Sequence, residues 1–193
     1  IDNMELSRDG RRLAYTINEG GFSRLVLHDT VQQADVLLPA LPQGAVIEEL
    51  AFDRDSRRLA LQVSTAQSPA DIYVLALADG QPPQLTRWTQ SEIGPVNRDA
   101  LVPVELIEFP TWDRVNGRPR MIPAFVYRPR TPGPHPVLID IHGGPEAQYR
   151  PGWSAYTQFL VNELGYAVVA PNVRGSAGYG RSFLGLDNGE LRE

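Results

Sequence analysis

Val137-Leu138-Ile139-Asp140-Ile141-His142-Gly143-Gly144-Pro145 is an apolar run that ends in a pair of glycines. Val137 to Ile141 has the near-continuous apolar character of a parallel strand covered on both faces, and Tyr166 to Ala170 is a second run of the same kind. The stretch between them predicts a helix. Ser154 is placed to cap its N-terminus, Tyr156, Phe159, Leu160 and Leu164 recur at helical spacing, and Gly165 stands where a left-handed residue ends a helix. Strand, helix, strand is a βαβ unit, which implies a parallel sheet and a right-handed crossover.

His142-Gly143-Gly144-Pro145 therefore follows the carboxyl end of a buried strand, where open α/β sheets place their ligands. Glycines suit such a turn because a side chain would block close approach to the backbone N–H groups, and because the turn can need positive φ. Two free N–H groups there could hold an oxyanion. A plain βα turn that needs glycine for geometry alone is the alternative. His142 lacks a nucleophile within reach in the sequence pattern. The three histidines, His28, His135 and His142, are too scattered for a metal site. His142 is therefore expected to be structural or to line the glycine turn. Asp140, inside an apolar run, is expected to be hydrogen-bonded to loop N–H groups or to an Arg.

Outward from this unit, Val104 to Phe109 and Arg120 to Tyr127 read as two strands joined by a hairpin turn at Asn116-Gly117, and Pro129 to Pro136 as a proline-rich surface connection. Asn172-Val173-Arg174-Gly175-Ser176-Ala177-Gly178-Tyr179-Gly180 follows the second parallel strand. It is glycine-rich but has neither the Gly-x-Gly-x-x-Gly spacing of a dinucleotide loop nor a Lys for a phosphate loop. Arg174 is expected to pair with a carboxylate and pin this loop.

The first half of the chain repeats itself. Arg8-Asp9-Gly10-Arg11-Arg12-Leu13-Ala14 returns as Arg54-Asp55-Ser56-Arg57-Arg58-Leu59-Ala60, an offset of 46 residues. In each copy a turn precedes an alternating strand (Leu13 to Ile17, Leu59 to Val63), and a further strand follows (Ser23 to His28, Asp71 to Leu77). A period in the mid-forties with several short strands marks a β-propeller blade, for which two copies are too few to close a ring. A small independent β-sandwich is the alternative. Ser91 to Leu101 has turn chemistry without periodicity and reads as a linker, with a boundary near residue 100.

Composition narrows the function. The 193 residues are 42% hydrophobic with net charge −5, no cysteine, and 18 basic residues that are all Arg. This is the profile of a globular protein without disulfides, thiolate metal sites or a cysteine nucleophile. Scattered Arg on an acidic chain gives no footprint for nucleic acid, and no apolar run reaches the length of a membrane helix. Neither a nucleic-acid nor a membrane partner is expected, and no cofactor or metal. The chain opens Ile1-Asp2-Asn3, which reads as an internal start, so localisation stays open between the cytoplasm and a secreted or periplasmic site.

No serine has glycines two residues away on both sides: Ser154, Ser176 and Ser182 each lack at least one. Without that elbow, and with the acid and His of such triads following the Ser, no member of a catalytic triad is expected in this chain.

The repeats, Ile141-His142-Gly143-Gly144-Pro145, the helix, and Ala170-Pro171-Asn172-Val173-Arg174-Gly175-Ser176-Ala177-Gly178-Tyr179-Gly180 together resemble the prolyl oligopeptidase family of serine peptidases, most of all its acylaminoacyl-peptidase and dipeptidyl-peptidase-like branches. The resemblance implies the C-terminal blades of a β-propeller over 1–100. Over 101–193 it implies the N-terminal portion of an α/β-hydrolase domain, truncated before the nucleophile elbow. The fold class is then all-β plus α/β, incomplete. It implies an internal fragment of a serine peptidase that hydrolyses short peptides by acyl transfer, inactive alone. Gly144 matches the position whose backbone N–H donates to the oxyanion, beside Gly143. His142 stands where some branches have a Tyr that donates its hydroxyl, and the Arg174-Gly175-Ser176 loop shapes the entrance beside the site. Asp187-Asn188-Gly189 begins the approach to the helix before the nucleophile strand. The implied partners are a peptide substrate, the remainder of the same protein, and a second copy in a homo-oligomer. A non-catalytic propeller-containing scaffold and an esterase of the same hydrolase fold are the competing readings. Unpaired edges at Val137 to Ile141 and Tyr166 to Ala170 are expected to be covered by another chain or by a further segment.

Overall fold

A computed structural model describes residues 1–78, 80–144 and 146–191. Pro145, the last residue of the glycine motif, lies outside the described residues, as does Glu193. The chain forms two compact units, Ile1–Val96 and Asn97–Glu193.

The first unit holds two four-stranded antiparallel meanders. One is β1 (Met4–Leu6), β2 (Arg12–Glu19), β3 (Phe22–Asp29) and β4 (Ala34–Asp35). The other is β5 (Val46–Phe52), β6 (Arg58–Thr65), β7 (Ser68–Ala76) and β8 (Gln84–Arg87). The 46-residue offset survives down to single hydrogen bonds. In the first sheet Ser7 N–H donates to Arg12 O and Gly10 N–H to Ser7 O, while in the second Asp53 N–H donates to Arg58 O and Ser56 N–H to Asp53 O. Side-chain oxygens close both turns, with Ser7 Oγ accepting from Arg12 N–H and Asp53 Oδ1 from the N–H groups of Arg57 and Arg58. Alternation along β2 and β6 sends one face of each sheet inward. Ala14 and Leu27 of the first sheet and Ile47, Leu59, Leu61, Val63 and Leu75 of the second share one core, each nearly inaccessible to solvent. Burying the Leu, Ile and Val side chains among them stabilises by about 1.5–3 kcal/mol each. The last strands of the second sheet are anchored on Asp71. Its buried carboxylate accepts from Arg87, from Thr89 Oγ1 at 2.7 Å and from Ser91 N–H at 2.8 Å.

The second unit is built on one mixed sheet. Its hairpin is β9 (Val104–Val115) and β10 (Arg118–Tyr127), and Asn116 and Gly117 turn it with φ of 52° and 79°. Both values are positive, as a type I′ turn requires. After the proline-rich connection come β11 (Val137–Ile139), α1 (Ala155–Asn162) and β12 (Ala167–Pro171), followed by a short α2 (Arg181–Leu184). The strand order is β11-β12-β10-β9, with β11 and β12 parallel and the other pairs antiparallel. Ser154 caps α1, its Oγ accepting from Thr157 N–H at 3.1 Å, and Gly165 turns the chain out of the helix at φ +69°.

Two expectations are corrected here. First, β11 is not covered on both faces. It ends the described sheet, and Val137, Ile139 and the following Ile141 are 60%, 62% and 63% exposed, whereas β12, flanked by β10 and β11, is largely buried. Of the two strands, only β11 leaves an edge, and it is paired on its other side. Second, the helix buries only part of the expected face, Leu160, and turns the rest of it outward. Tyr156, Phe159 and Leu164 are exposed, while Thr157, Gln158, Leu160 and Val161 face inward. The reason is Gln158. Its amide bonds both polar groups of Val102, accepting from the N–H at 3.0 Å and donating to the carbonyl at 2.9 Å, which fixes the rotation of the helix over that buried segment.

Candidate active site loops

The carboxyl ends of the parallel strands β11 and β12 release two loops, 140–154 and 172–180, which the structure stitches together. Asp140 N–H still donates to Val169 O at 2.9 Å, so the ladder runs one residue past β11 before the chain turns away. Gly144 sits at φ +118°, and a Cβ there would come within 2.9 Å of Ala147 Cβ. Both conformation and space thus demand glycine. Gly143 needs it for neither reason: its φ lies outside the left-handed range and a Cβ would meet open space. Both glycines are exposed, as a turn must be if its N–H groups are to meet a ligand.

Polar links among the described residues join the loops. Asn172, fully buried, accepts from Tyr149 N–H through Oδ1 at 2.7 Å, and its amide donates to Tyr149 O and to Tyr179 Oη. Ala177 N–H donates to Ala147 O at 3.0 Å. His142 Nε2 lies 2.8 Å from Ser176 Oγ, and His142 Nδ1 lies 3.0 Å from Gly143 O. Tyr149 in turn donates to Tyr127 Oη at 3.2 Å beneath the loops. Burial raises the hydroxyl pKa of Tyr127, Tyr149 and Tyr179, so these groups stay neutral and serve as hydrogen-bonding struts.

The His142–Ser176 pair has the separation of a base and its nucleophile, yet it cannot act as one. Ser176 is completely buried, and its hydroxyl donates to Val173 O at 2.6 Å. The proton a base would remove is directed at a carbonyl, and Oγ pairs with His142 Nε2 from within the loop. His142 is a strut between the two loops. Asp140 is half-buried, and instead of binding loop N–H groups its carboxylate lies near Tyr127 and Tyr149, adding to the rise in both hydroxyls.

Arg174 reaches away from the glycine turn. Its Nη2 donates to Thr111 Oγ1 at 2.5 Å and to Asp113 Oδ1 at 2.6 Å, and its guanidinium lies 4.7 Å from the centre of the Trp112 ring. Asp113 Oδ2 accepts from Arg120 Nε at 2.6 Å. The hydrogen bond from Arg120 acts against the cost of burial and, joined by that from Arg174, holds the Asp113 carboxyl below the usual carboxylate range. Asp113, Asn172, Tyr149 and the hydroxyl of Ser176 are the site-framing groups that sequence reasoning missed. Asp113 had one available signal: counting out from Asn116-Gly117 brings it opposite Arg120.

Among the described residues no group of three or more His, Asp or Glu is placed to hold a metal ion, and no helix is long and apolar enough to cross a membrane. No protein-family model matches the chain. In sequence, it is 46% identical to dipeptidyl aminopeptidase BIII of Pseudoxanthomonas mexicana over 57 residues, 30% of this chain and 8% of that protein. It is 24% identical to the acylamino-acid-releasing enzyme of Sus scrofa over 182 residues, 92% of this chain and 24% of that enzyme. A solved prolyl endopeptidase superposes on 98% of this chain with a TM-score of 0.79 at 17% identity, and the chain covers 26% of it. The chain thus spans about a quarter or less of the length of these proteins. Its relatives by sequence are dipeptidyl and acylamino-acid peptidases and its fold is shared with a prolyl endopeptidase, so the resemblance to the prolyl oligopeptidase family holds on both counts.

Proposed function

We propose that this chain is part of a longer serine peptidase that hydrolyses short peptides by acyl transfer, and that it contributes the oxyanion turn. On this reading the two meanders of 1–100 are the last blades of a β-propeller that screens substrates by size. The sheet of 101–193 is the first part of an α/β-hydrolase domain, and the Ser, Asp and His of the triad belong to a segment beyond residue 193. The observation that carries the proposal is the turn itself. Gly144 is held at φ +118° at the carboxyl end of a parallel strand, exposed, in a loop pinned on its far side by buried Asn172 and Ser176. Pre-positioned N–H groups stabilise a tetrahedral oxyanion because they need no reorganisation as the charge develops, and one such donor contributes about 3 kcal/mol. Gly143 lines the same turn, His142 braces it against Ser176, and Arg174 anchors the facing 172–180 loop to the β9/β10 hairpin.

The exposed apolar edge of β11 fits the same reading. Val137, Ile139 and Ile141 would be covered by the rest of the hydrolase sheet and its helices. Fluorophosphonate labelling tests the proposal. The longer protein is expected to be modified on a serine outside residues 1–193 and to cleave peptide anilides, and the 193-residue chain to do neither. Covalent modification of a serine within this chain would overturn the assignment of the nucleophile to another segment.

A further inference from the structure

The β9/β10 hairpin is irregular beside Arg174. Its register passes from Arg114 opposite Pro119 to Pro110 opposite Met121, so Thr111, Trp112 and Asp113 stand against Arg120 alone. In a regular strand Trp112 would point away from the face that Thr111 and Asp113 share. Yet Arg174 meets all three: Nη2 bonds Thr111 Oγ1 and Asp113 Oδ1, and the guanidinium stacks on Trp112. A bulge is the device that makes this possible, since it bends the strand and re-aims its side chains. Arg120, from the facing strand, occupies the second oxygen of Asp113, so the carboxylate cannot swing away. The result is a three-residue socket for one guanidinium.

The socket connects to the glycine turn through a short run of contacts. Two residues beyond Arg174, the buried hydroxyl of Ser176 lies 2.8 Å from His142 Nε2, and His142 Nδ1 lies 3.0 Å from the carbonyl oxygen of Gly143. We infer that Asp113 is a positioning residue for the oxyanion turn, holding Arg174 and thereby the 172–180 loop against which His142 and Gly143-Gly144 are set. This rests on the reading of Gly144 N–H as the oxyanion donor. Asp113 does not touch substrate. It sets where the donor points, an effect felt in the transition state and not in substrate binding.

The test uses the longer protein and compares Asp113→Asn, Asp113→Glu and Thr111→Val, with Gly144→Ala as the reference for the turn. Asp113→Asn is expected to lower kcat about 10- to 100-fold, the scale of loss from a displaced reacting geometry. KM should change by less than about twofold, since uniform binding is untouched. Affinity for a peptide boronate, which forms a tetrahedral adduct, should fall with kcat. Asp113→Glu should recover most of the rate by restoring the charge. If Asp113→Asn does not fold, Thr111→Val carries the test, with a smaller fall in kcat at unchanged KM. A rise in KM with kcat intact in either variant overturns the inference, because the socket would then be touching substrate. So does a loss that Glu fails to rescue. If Gly144→Ala leaves kcat intact, the oxyanion reading itself falls and the inference with it. If Gly144→Ala lowers kcat and Asp113→Asn does not, the turn keeps its role and Asp113 loses its own.

Discussion

The two units solve the same problem, how to bury the face of a four-stranded sheet, in opposite ways. In Ile1–Val96 two similar meanders cover each other, so that Leu59, Leu61 and Ile47 of one sheet and Ala14 and Leu27 of the other are all but inaccessible. In Asn97–Glu193 the sheet has helix α1 against β12 but leaves Val137, Ile139 and Ile141 in the open. The first unit is held chiefly by apolar area, the second near its loops by polar struts: Asn172, Ser176, His142, Arg174 and Asp113. A repeat can complete its core with its own neighbour, whereas a site has to leave strand ends free and then fix the loops by hydrogen bonds.

The comparison breaks most readily in the first unit. Ile47→Ala removes a fully buried side chain from the shared core and is expected to lower the unfolding free energy by about 2–5 kcal/mol, read from urea denaturation. Ile139→Ser in the 193-residue chain should change it by less than about 0.5 kcal/mol, because the side chain is 62% exposed. The same substitution in the longer protein should cost several times more if a further segment covers β11. Equal costs for Ile139→Ser in both settings would remove the proposed cover.

Next in size is Asp71, the polar anchor of the apolar unit. Burial alone would raise its pKa, but hydrogen bonds from Thr89, Arg87 and Ser91 outweigh it and hold the carboxyl below the ordinary range near 3.9. The sign follows from linkage. A carboxyl with a depressed folded value contributes stability above its unfolded pKa and loses it as pH falls through the lower folded one. Stability should therefore be flat from pH 7 down to about pH 4 as far as this group is concerned, then fall. Asp71→Asn should remove that part of the acid slope and cost about 1–3 kcal/mol at pH 7, since three donors lose a charged acceptor. An acid limb unchanged in Asp71→Asn would assign the slope to other carboxyls.

How much of this was legible depends on whether the deciding contact was local. The two meanders and the hairpin could be read because alternation along Leu13 to Ile17 and Leu59 to Val63, and the turn at Asn116-Gly117, are properties of neighbouring residues. The exposure of β11 could not, because Val137 to Ile141 is equally apolar whether the covering surface belongs to this chain or to another segment. The face of α1 was legible only at Leu160, because Tyr156, Phe159 and Leu164 point outward and Gln158, a polar residue, turns inward to bond Val102. At the site, the glycine turn and an Arg174–carboxylate pair were legible as residue types. The identity of the carboxylate was not, because a bulge at Thr111-Trp112-Asp113 has no alternation to announce it.

The smallest effect tests the repeat at a single backbone position. Gly10 and Ser56 occupy equivalent places, both left-handed, at φ of 71° and 57°. Glycine adopts this conformation freely, and a residue with a Cβ does so at about 1 kcal/mol or more. Gly10→Ser should therefore destabilise by about 1 kcal/mol, although a Cβ there meets open space, because the cost is in the backbone and not in a clash. Ser56→Gly should do far less than its mirror image. It relieves the same strain, but the added freedom of glycine in the unfolded chain offsets about 0.5–1 kcal/mol. It also gives up the link between the two turns, in which Ser56 Oγ accepts from Asp9 N–H at 3.3 Å. Arg12 still reaches the carbonyl of residue 56 at 2.9 Å, so that contact survives the change. The net is expected to lie within a few tenths of a kcal/mol of zero, in paired urea melts of the two variants. A clear gain in stability would mean that the Ser56–Asp9 contact contributes nothing to holding the two turns together.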